Sequence, residues 1–316
     1  MSSLIEKATL RLEQLRQADV VLPDEDERAP AKEAQIPSII EVARHEAALG
    51  VRLRKPLRQT DSVSVLSRRV EINLDALSKA GIVNPKALRS QLADQFRVIK
   101  RPLISNAMGK GASIIANGNL IMVTSALPGE GKSFTAINLA LSIATELDNT
   151  VMLVDADVAR PSVLDMLNLP PGPGLLELLQ DESQVMSRML LKTNIDKLSI
   201  LPSGAPHERA TELLASDAMV KLLNDMAQRY PDRIIIFDSP PLLLTTESRV
   251  LATHMGQIVV VVKAESTLQQ DVLNALAMIE SCPVKLLVLN QARTESQNGY
   301  GYGYGYGYGS GGDGRP

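Results

Sequence analysis

The sequence predicts a doubly wound α/β domain with a mostly parallel sheet, on three observations. Short aliphatic runs recur between residues 119 and 290. Segments of helical periodicity lie between most of these runs. The runs are apolar on both faces, which is typical of parallel strands covered by helices on both sides of a sheet. We therefore expect a ligand site beyond the carboxyl ends of the strands.

The composition narrows the class of protein. Of 316 residues, 45% are hydrophobic and 3% aromatic, so a sizeable core would be aliphatic. The net charge of -3 gives no general attraction to nucleic acid, and no such partner is predicted. Cys282 is the single cysteine, which indicates a reducing compartment. The charged N-terminus is not a secretory signal, and no run approaches the roughly 18 apolar residues of a membrane span. We expect a soluble, cytoplasmic protein.

The N-terminal part is expected to be helical. Residues 1–37 contain an amphipathic helical pattern followed by an acidic, Pro-rich linker, and residues 38–84 are mainly helical in pattern. A firm helix is predicted near 85–100, with Pro85 in its first turn. The α/β domain is predicted over 85–292, and a Tyr/Gly-rich, disordered tail over 293–316. The predicted strands are NLIMVTS, TVMLVDA, KLSILPS, RIIIFDS, QIVVVVKA and VKLLVLN.

The first strand continues into SALPGEGKS and then a helix. Backbone N–H groups of such a glycine-rich turn, together with the positive end of the helix dipole, form an anion cradle. Lys132 can reach the β and γ phosphates, and the Ser133 hydroxyl can ligate Mg²⁺. Ala126 stands where the motif usually has its first glycine. The residues expected to bind nucleotide are Pro128, Gly129, Glu130, Gly131, Lys132, Ser133 and Phe134.

Three aspartates follow buried strands. Asp155 and Asp157 come at the end of the second strand, and Asp238 ends RIIIFD. Beside a phosphate loop, these acids are expected to face Mg²⁺ and the terminal phosphate, although the first two alone would also fit a simple turn. The sequence thus predicts a Mg²⁺–ATP site of the P-loop NTPase type.

The chain closes on five tyrosines that alternate with glycines. Glycine at every second position argues against a packed strand, so the segment is either a sticky low-complexity tail or a set of accessible phenol hydroxyls that an enzyme modifies. The tyrosines concerned are Tyr300, Tyr302, Tyr304, Tyr306 and Tyr308.

These motifs together resemble those of the bacterial tyrosine autokinases that regulate exopolysaccharide and capsule synthesis. SALPGEGKSFTAINLA resembles their Walker A motif, VMLVDADVARP their second Walker-type motif, and RIIIFDSPP their Walker B motif. These kinases are similar in fold to partition ATPases but phosphorylate a C-terminal tyrosine cluster. SLIEKA and IKRPLISNA are most similar to the exosortase-associated branch, whose kinase is separate from its membrane activator.

The resemblance implies a role for each matching residue. It implies that Lys132 and Ser133 hold phosphates and Mg²⁺, and that Asp155 is a metal-site acid and the acceptor of the tyrosine proton. Asp157 would support Asp155, Asp238 would position the metal, and Asn290 would contact adenine.

The resemblance also implies partners. It implies a ring-like homo-oligomer, a separate membrane-embedded activator that recruits the kinase to the inner face of the membrane, and a phosphotyrosine phosphatase. The oligomer motif is represented by Asp94, Arg97 and Lys100, where Lys lacks the bidentate fork of Arg. A solvated, charged helix face is the alternative for these three residues.

Two other functions remain open from the residues. A partition-type switch ATPase would carry an additional lysine in its phosphate loop, where this chain has Leu127. That reading gives the tyrosine tail no role. A nonenzymatic assembly adaptor would leave the three strand-end acids unexplained.

Overall fold

A computed structural model describes residues 67–293, apart from Leu88, Glu182, Tyr230 and Pro231. Several predictions fall outside the described residues. They concern the amphipathic helix and linker of residues 1–37, the helical pattern up to residue 66, and the five tail tyrosines. Within the described range, no helix has both the length and the apolar character needed to cross a membrane.

Eight strands form one sheet in the described part of the chain. Their order is β1-β4-β5-β3-β6-β2-β7-β8, and β4–β5 is the one antiparallel pair. After β2 the chain forms β3 and the strands beyond it, inserts β6 between β3 and β2, and then adds β7 and β8 on the other side of β2. In such doubly wound sheets, ligands bind at the carboxyl ends of the strands where the order reverses. This confirms the predicted doubly wound, mostly parallel sheet. The strands are β1 (Arg68–Arg69), β2 (Leu120–Ser125), β3 (Thr150–Asp155), β4 (Leu191–Lys192), β5 (Leu198–Leu201), β6 (Arg233–Asp238), β7 (Gln257–Lys263) and β8 (Val284–Asn290).

Helices cover both faces of the sheet. Alternate residues of β2 enter different cores: Ile121 and Val123 pack on one face, Leu120 and Met122 on the other. Because both faces are covered, every residue of a central strand enters one core or the other, and the central strands are therefore continuous aliphatic runs in the sequence. The first face is covered by α1 (Leu74–Lys79), α2 (Gln91–Ala107), α3 (Lys132–Ala144) and α4 (Val163–Met166), and the second by α5 (Leu175–Gln180), α6 (Met186–Met189), α7 (Ala210–Leu214), α8 (Asp217–Arg229), α9 (Thr246–Ala252) and α10 (Gln269–Ala277).

Helix α2 begins later than predicted. It starts at Gln91, where the Ser90 hydroxyl caps it by accepting a hydrogen bond from the Ala93 N–H at 3.1 Å. Pro85 lies before the helix, so the predicted start there is wrong: an N-capping serine defines the first turn. Pro102 lies inside the helix, which continues to Ala107.

Residues before the predicted domain start at 85 also belong to this core. Ile72 and Leu77 are only 1% and 2% exposed and pack with the α2–α3 layer. The Asn194 side chain joins this segment to the sheet by accepting from the Ile72 N–H at 2.9 Å. The division of the chain at 37, 84 and 292 stays a prediction.

Candidate nucleotide and metal site

Residues 126–131 form a loop between β2 and α3, and two glycines shape it. Gly129 and Gly131 have φ angles of 77° and 92°, in the left-handed region that favours glycine. A Cβ added at Gly131 would lie 2.0 Å from the Asn290 amide nitrogen, so this position also requires glycine for space. Ala126, the first residue of the loop, is completely buried.

The N-terminus of helix α3 is available to an anion. The helix begins at Lys132, directly after Gly131, and no side chain caps it. The first N–H groups of a helix have no intrahelical acceptor, and the helix dipole adds positive potential at this end. The loop and the helix start therefore have the geometry of a phosphate cradle.

The Lys132 side chain points to the strand-end acids. Its ammonium lies 2.7 Å from an Asp157 carboxylate oxygen, and the two side chains are 14% and 5% exposed. The same nitrogen is 3.4 Å from the Ser133 hydroxyl. Asp157 is thus the direct ion-pair partner of the loop lysine, a contact that the sequence did not predict.

Asp155 is buried at the end of β3 and paired in register with Asp238. Its Oδ2 accepts hydrogen bonds from the N–H groups of Ser162 and Val163, both at 3.1 Å, while Oδ1 has no partner. Burial, and then the charge of Asp238, raise the pKa of Asp155 from 3.8 to about 7, against the opposing effect of the Val163 N–H.

Asp238 is completely buried, and neither of its carboxylate oxygens has a hydrogen-bond partner. Burial raises the pKa of Asp238 from 3.8 to about 6, although the Lys132 charge opposes the shift. Unpartnered buried carboxylate oxygens are costly unless a cation or donor satisfies them.

These residues fit a bound magnesium ion. The unpartnered oxygens of Asp155 and Asp238 are hard ligands of the kind Mg²⁺ prefers. In the described part of the chain, no three His, Cys, Asp or Glu side chains are arranged to hold a metal by themselves. This agrees with a Mg²⁺ site completed by the Ser133 hydroxyl, nucleotide phosphates and water, because Mg²⁺ usually keeps several such ligands.

Asn290, expected to contact adenine, lies against the phosphate loop. Its side-chain amide donates to the Glu130 carbonyl at 2.9 Å. The Glu130 side chain, 2% exposed, accepts from the Leu127 N–H at 2.6 Å and from the Thr267 hydroxyl. The contact of Thr267 was not predicted, because no motif marks a threonine in the turn after β7.

The three residues predicted to form an oligomer contact lie in two different environments. Asp94 and Arg97 form an ion pair with side chains 65% and 43% exposed. Lys100 is 3% exposed; its ammonium lies 2.6 Å from a Glu146 carboxylate oxygen and donates to the Ser142 carbonyl at 2.5 Å. Lys100 thus satisfies the C-terminal end of α3 within the subunit, and an oligomer contact through Asp94, Arg97 and Lys100 stays a proposal.

Replacing Lys100 with Met should lower the free energy of unfolding by about 1–3 kcal/mol, because charge-assisted hydrogen bonds are lost at a buried helix end. Thermal or urea unfolding measures this. Lys86→Met, at an exposed lysine, is the matched control and should change stability little. Unchanged stability with a lost oligomer would instead assign Lys100 to a subunit contact.

The fold and site define a P-loop NTPase of the ParA type. Residues 117–297 match the family model described as "ParA: NUBPL iron-transfer P-loop NTPase". The match covers the sheet from β2 to β8 together with the phosphate loop and the three acids.

Within this class, the chain belongs to the bacterial tyrosine-protein kinases, which confirms the predicted family. Tyrosine-protein kinase YwqD of Bacillus subtilis (strain 168) is 31% identical over 234 residues, covering 73% of this chain and 91% of YwqD. Tyrosine-protein kinase ptk of Acinetobacter johnsonii is 30% identical over 245 residues, covering 77% of this chain and 31% of ptk. The chain thus spans most of one relative and about a third of the other. The exosortase-associated branch stays a prediction.

Solved structures show the same fold. The crystal structure of the chimerical protein CapA2B2 matches with a TM-score of 0.56 and 28% identity, covering 70% of this chain and 99% of that chain. The kinase domain of Escherichia coli tyrosine kinase ETK matches with a TM-score of 0.55, covering 74% of this chain and 86% of that chain. At 23% identity, the second match supports the fold alone.

Proposed function

We propose that this chain is a Mg²⁺–ATP-dependent protein tyrosine kinase that phosphorylates its own C-terminal tyrosine cluster. The observation that carries this proposal is the meeting of the phosphate loop with three buried acids at one edge of the sheet. Lys132 and Asp157 are in direct contact there, and Asp155 and Asp238 are neighbours in register. The names of the relatives add support at the level of the family.

The proposed reaction transfers the γ-phosphoryl group of ATP to a tyrosine oxygen. The phenol oxygen forms a bond to the γ-phosphorus, the bond to the β,γ-bridging oxygen breaks, and ADP leaves. Asp155 would accept the phenol proton, as a buried carboxyl group beside the transferred phosphate. Lys132 and the N–H groups of the loop would stabilise charge on the phosphates. Mg²⁺, held by Ser133, Asp155 and Asp238, would supply charge neutralisation when bound.

The tail is the proposed phosphoacceptor. Tyr300 lies ten positions after Asn290, the last residue of β8. This length spans at most about 35 Å, enough to reach the site of a neighbouring subunit. Glycines on both sides of each phenol leave it accessible, so no single tyrosine should be essential. We therefore propose transfer in trans within an oligomer.

Incubation with Mg²⁺–ATP should add phosphates to Tyr300, Tyr302, Tyr304, Tyr306 and Tyr308, up to five per chain. Intact-mass and peptide mass spectrometry measure the number and position of the phosphates. A variant with all five residues changed to Phe should bind nucleotide normally and gain no tail phosphate. Phosphates found only outside the tail would contradict the proposed substrate.

Transfer in trans is tested by mixing Lys132→Met full-length protein with an active chain that lacks residues 299–316. Phosphate is expected on the tail of the inactive partner. If only unmixed wild-type protein becomes labelled, transfer is intramolecular. Each phosphate adds about -1.5 to -2 charges at neutral pH, so a fully phosphorylated tail should shift the assembly towards monomer in sedimentation measurements.

We also propose that the kinase acts in exopolysaccharide synthesis or export with a separate membrane-embedded activator and a phosphotyrosine phosphatase. The activator would recruit it from the cytoplasm to the inner face of the membrane. Support for the role in exopolysaccharide synthesis comes from the name of a relative, the succinoglycan biosynthesis transport protein ExoP of Rhizobium meliloti (strain 1021), 32% identical over 201 residues that cover 24% of ExoP. Co-purification of the full chain with a membrane protein from the source cells is expected; recovery without one would count against the activator.

A partition-type nucleotide switch is the second candidate, favoured by the ParA description of the matching family model. This protein would hydrolyse ATP without modifying a tyrosine. The fate of γ-labelled phosphate separates the two functions, because a switch releases it to water and a kinase retains it on protein.

A further inference from the structure

Glu130 occupies the position between the two glycines of the phosphate loop, and both oxygens of its buried carboxyl group are used. One accepts from the Leu127 N–H at 2.6 Å, within the loop. The other accepts from the Thr267 hydroxyl, 137 residues away in sequence. A phosphate cradle needs backbone N–H groups and not a side chain at this position, so the two contacts call for an explanation beyond the motif.

Thr267 is held so that its hydroxyl proton is directed to Glu130. It lies in the turn between β7 and α10, where its backbone N–H donates to the Lys263 carbonyl at 3.1 Å. Its hydroxyl oxygen also accepts from the Lys263 N–H at 3.2 Å. Because a carboxylate can only accept, the Thr267 hydroxyl donates its proton to Glu130, and its oxygen keeps a lone pair beyond the one used by Lys263.

Asn290 ties the same turn to the loop by a second route. Its backbone carbonyl accepts from the Ala264 N–H at 2.9 Å, in the turn that contains Thr267. Its side chain donates to the Glu130 carbonyl at 2.9 Å. The amide nitrogen lies so close to Gly131 that no Cβ would fit there. The ends of β7 and β8 therefore contact the loop through both the side chain and the backbone of Glu130.

We propose that Glu130, Thr267 and Asn290 form a clamp that fixes the phosphate loop in its anion-binding conformation. All three act as positioning residues on the phosphate end of the nucleotide. A loop with two glycines has many alternative conformations, and binding would have to select one of them at an entropic cost. The clamp lowers this cost before the ligand arrives. The inference rests on the proposed nucleotide binding. It adds that Asn290 supports binding of the phosphates independently of the adenine base.

The test measures affinities of the full chain for Mg²⁺–ADP and for Mg²⁺–pyrophosphate, which has no base. Thr267→Val should weaken binding of both ligands about threefold to tenfold, the loss expected for one hydrogen bond, and Thr267→Ser should bind within about twofold of wild type. Glu130→Ala should lose about tenfold or more, because two contacts are lost. Glu130→Gln should retain most of the affinity, since its oxygen can accept from Leu127 and its amide can donate to Thr267.

Two further measurements separate positioning from other roles. If Glu130 and Thr267 act through each other, the Glu130→Ala/Thr267→Val double variant should bind no more weakly than Glu130→Ala. Asn290→Ala should weaken binding of ADP and of pyrophosphate by the same factor. A loss confined to ADP would show an adenine contact in place of the clamp.

The outcomes also separate this inference from the proposed function. Wild-type protein that binds neither ligand overturns nucleotide binding itself. Wild-type protein that binds both, with Thr267→Val unchanged, overturns the clamp alone. If Glu130→Ala fails to fold, the comparison of Thr267→Val with Thr267→Ser still tests the clamp, because Thr267 is only half-buried. Unfolding temperatures without ligand should differ by less than about 3 °C between Thr267→Val and Thr267→Ser, so a loss of affinity is not a loss of folded protein.

Discussion

Replacing Lys132 with Met should reduce tail phosphorylation by at least about a hundredfold, the range lost when one preorganised group that stabilises transition-state charge is removed. The ammonium is held at the loop, 2.7 Å from Asp157. Phosphates entering the cradle would add negative charge at this position. Without the lysine, that charge would meet three buried carboxyl groups, and Asp157 would lose its ion-pair partner. Transfer measured by intact mass over time gives the rate.

A stability control is needed, because Lys132→Met leaves Asp157 buried without its partner. Breaking one side of a buried ion pair can destabilise a fold by several kcal/mol, on the order of 3–5. The double variant Lys132→Met/Asp157→Asn removes the uncompensated charge and should regain much of the unfolding temperature without regaining transfer. The control Lys86→Met should keep both the unfolding temperature and the rate of transfer of wild type. Recovery of transfer in the double variant would show that Lys132 acts only through folding.

The sheet and the phosphate loop could be predicted because local sequence determines them. A strand covered on both faces is a continuous aliphatic run, and β2, β3, β6 and β7 carry that signal. The edge strand β8 is also an aliphatic run, but one of its faces, with Leu287 and Leu289, is exposed. β1 and β4 have two residues each and give none. The loop was evident because glycines, lysine and serine stand in a fixed order between a strand and a helix.

Long-range contacts within the site could not be predicted in the same way. Asp157 was expected to support Asp155, whereas its side chain pairs with Lys132. The Lys100 side chain points to the C-terminal end of α3, where its ammonium donates to the carbonyl of Ser142, 42 residues further along the chain. Thr267 reaches Glu130 across a loop that carries no motif. In each case the residue type was informative, but its partner was set by tertiary packing.

Asp155→Asn should lower the rate of transfer by at least about a hundredfold while changing the affinity for nucleotide much less, because the phosphate loop is intact and an amide oxygen can still ligate Mg²⁺ but cannot accept the proton. The substitution preserves shape: the amide oxygen can still accept from the Ser162 and Val163 N–H groups. Single-turnover kinetics and equilibrium binding of Mg²⁺–ADP measure the two effects separately. Near-normal transfer would mean that Asp155 is not the proton acceptor.

The same substitution should stabilise the nucleotide-free fold, with a definite dependence on pH. The pKa of Asp155 is raised from 3.8 to about 7, so the folded state binds a proton more tightly than the unfolded state does. Stability is then lost as pH rises from about 4 to about 7, where the unfolded carboxyl ionises first and the buried one last. Asp155→Asn has no carboxyl group to ionise at this position, so its stability should not fall in this way. Its unfolding temperature should therefore exceed that of wild type by more as the pH rises towards 8. Bound Mg²⁺–ADP should reduce this difference in unfolding temperature. A variant that is less stable than wild type at every pH would show that the buried charge is already compensated within the protein. A gain in stability with a loss of turnover would instead identify Asp155 as a carboxyl group kept for its chemistry at a cost to the fold.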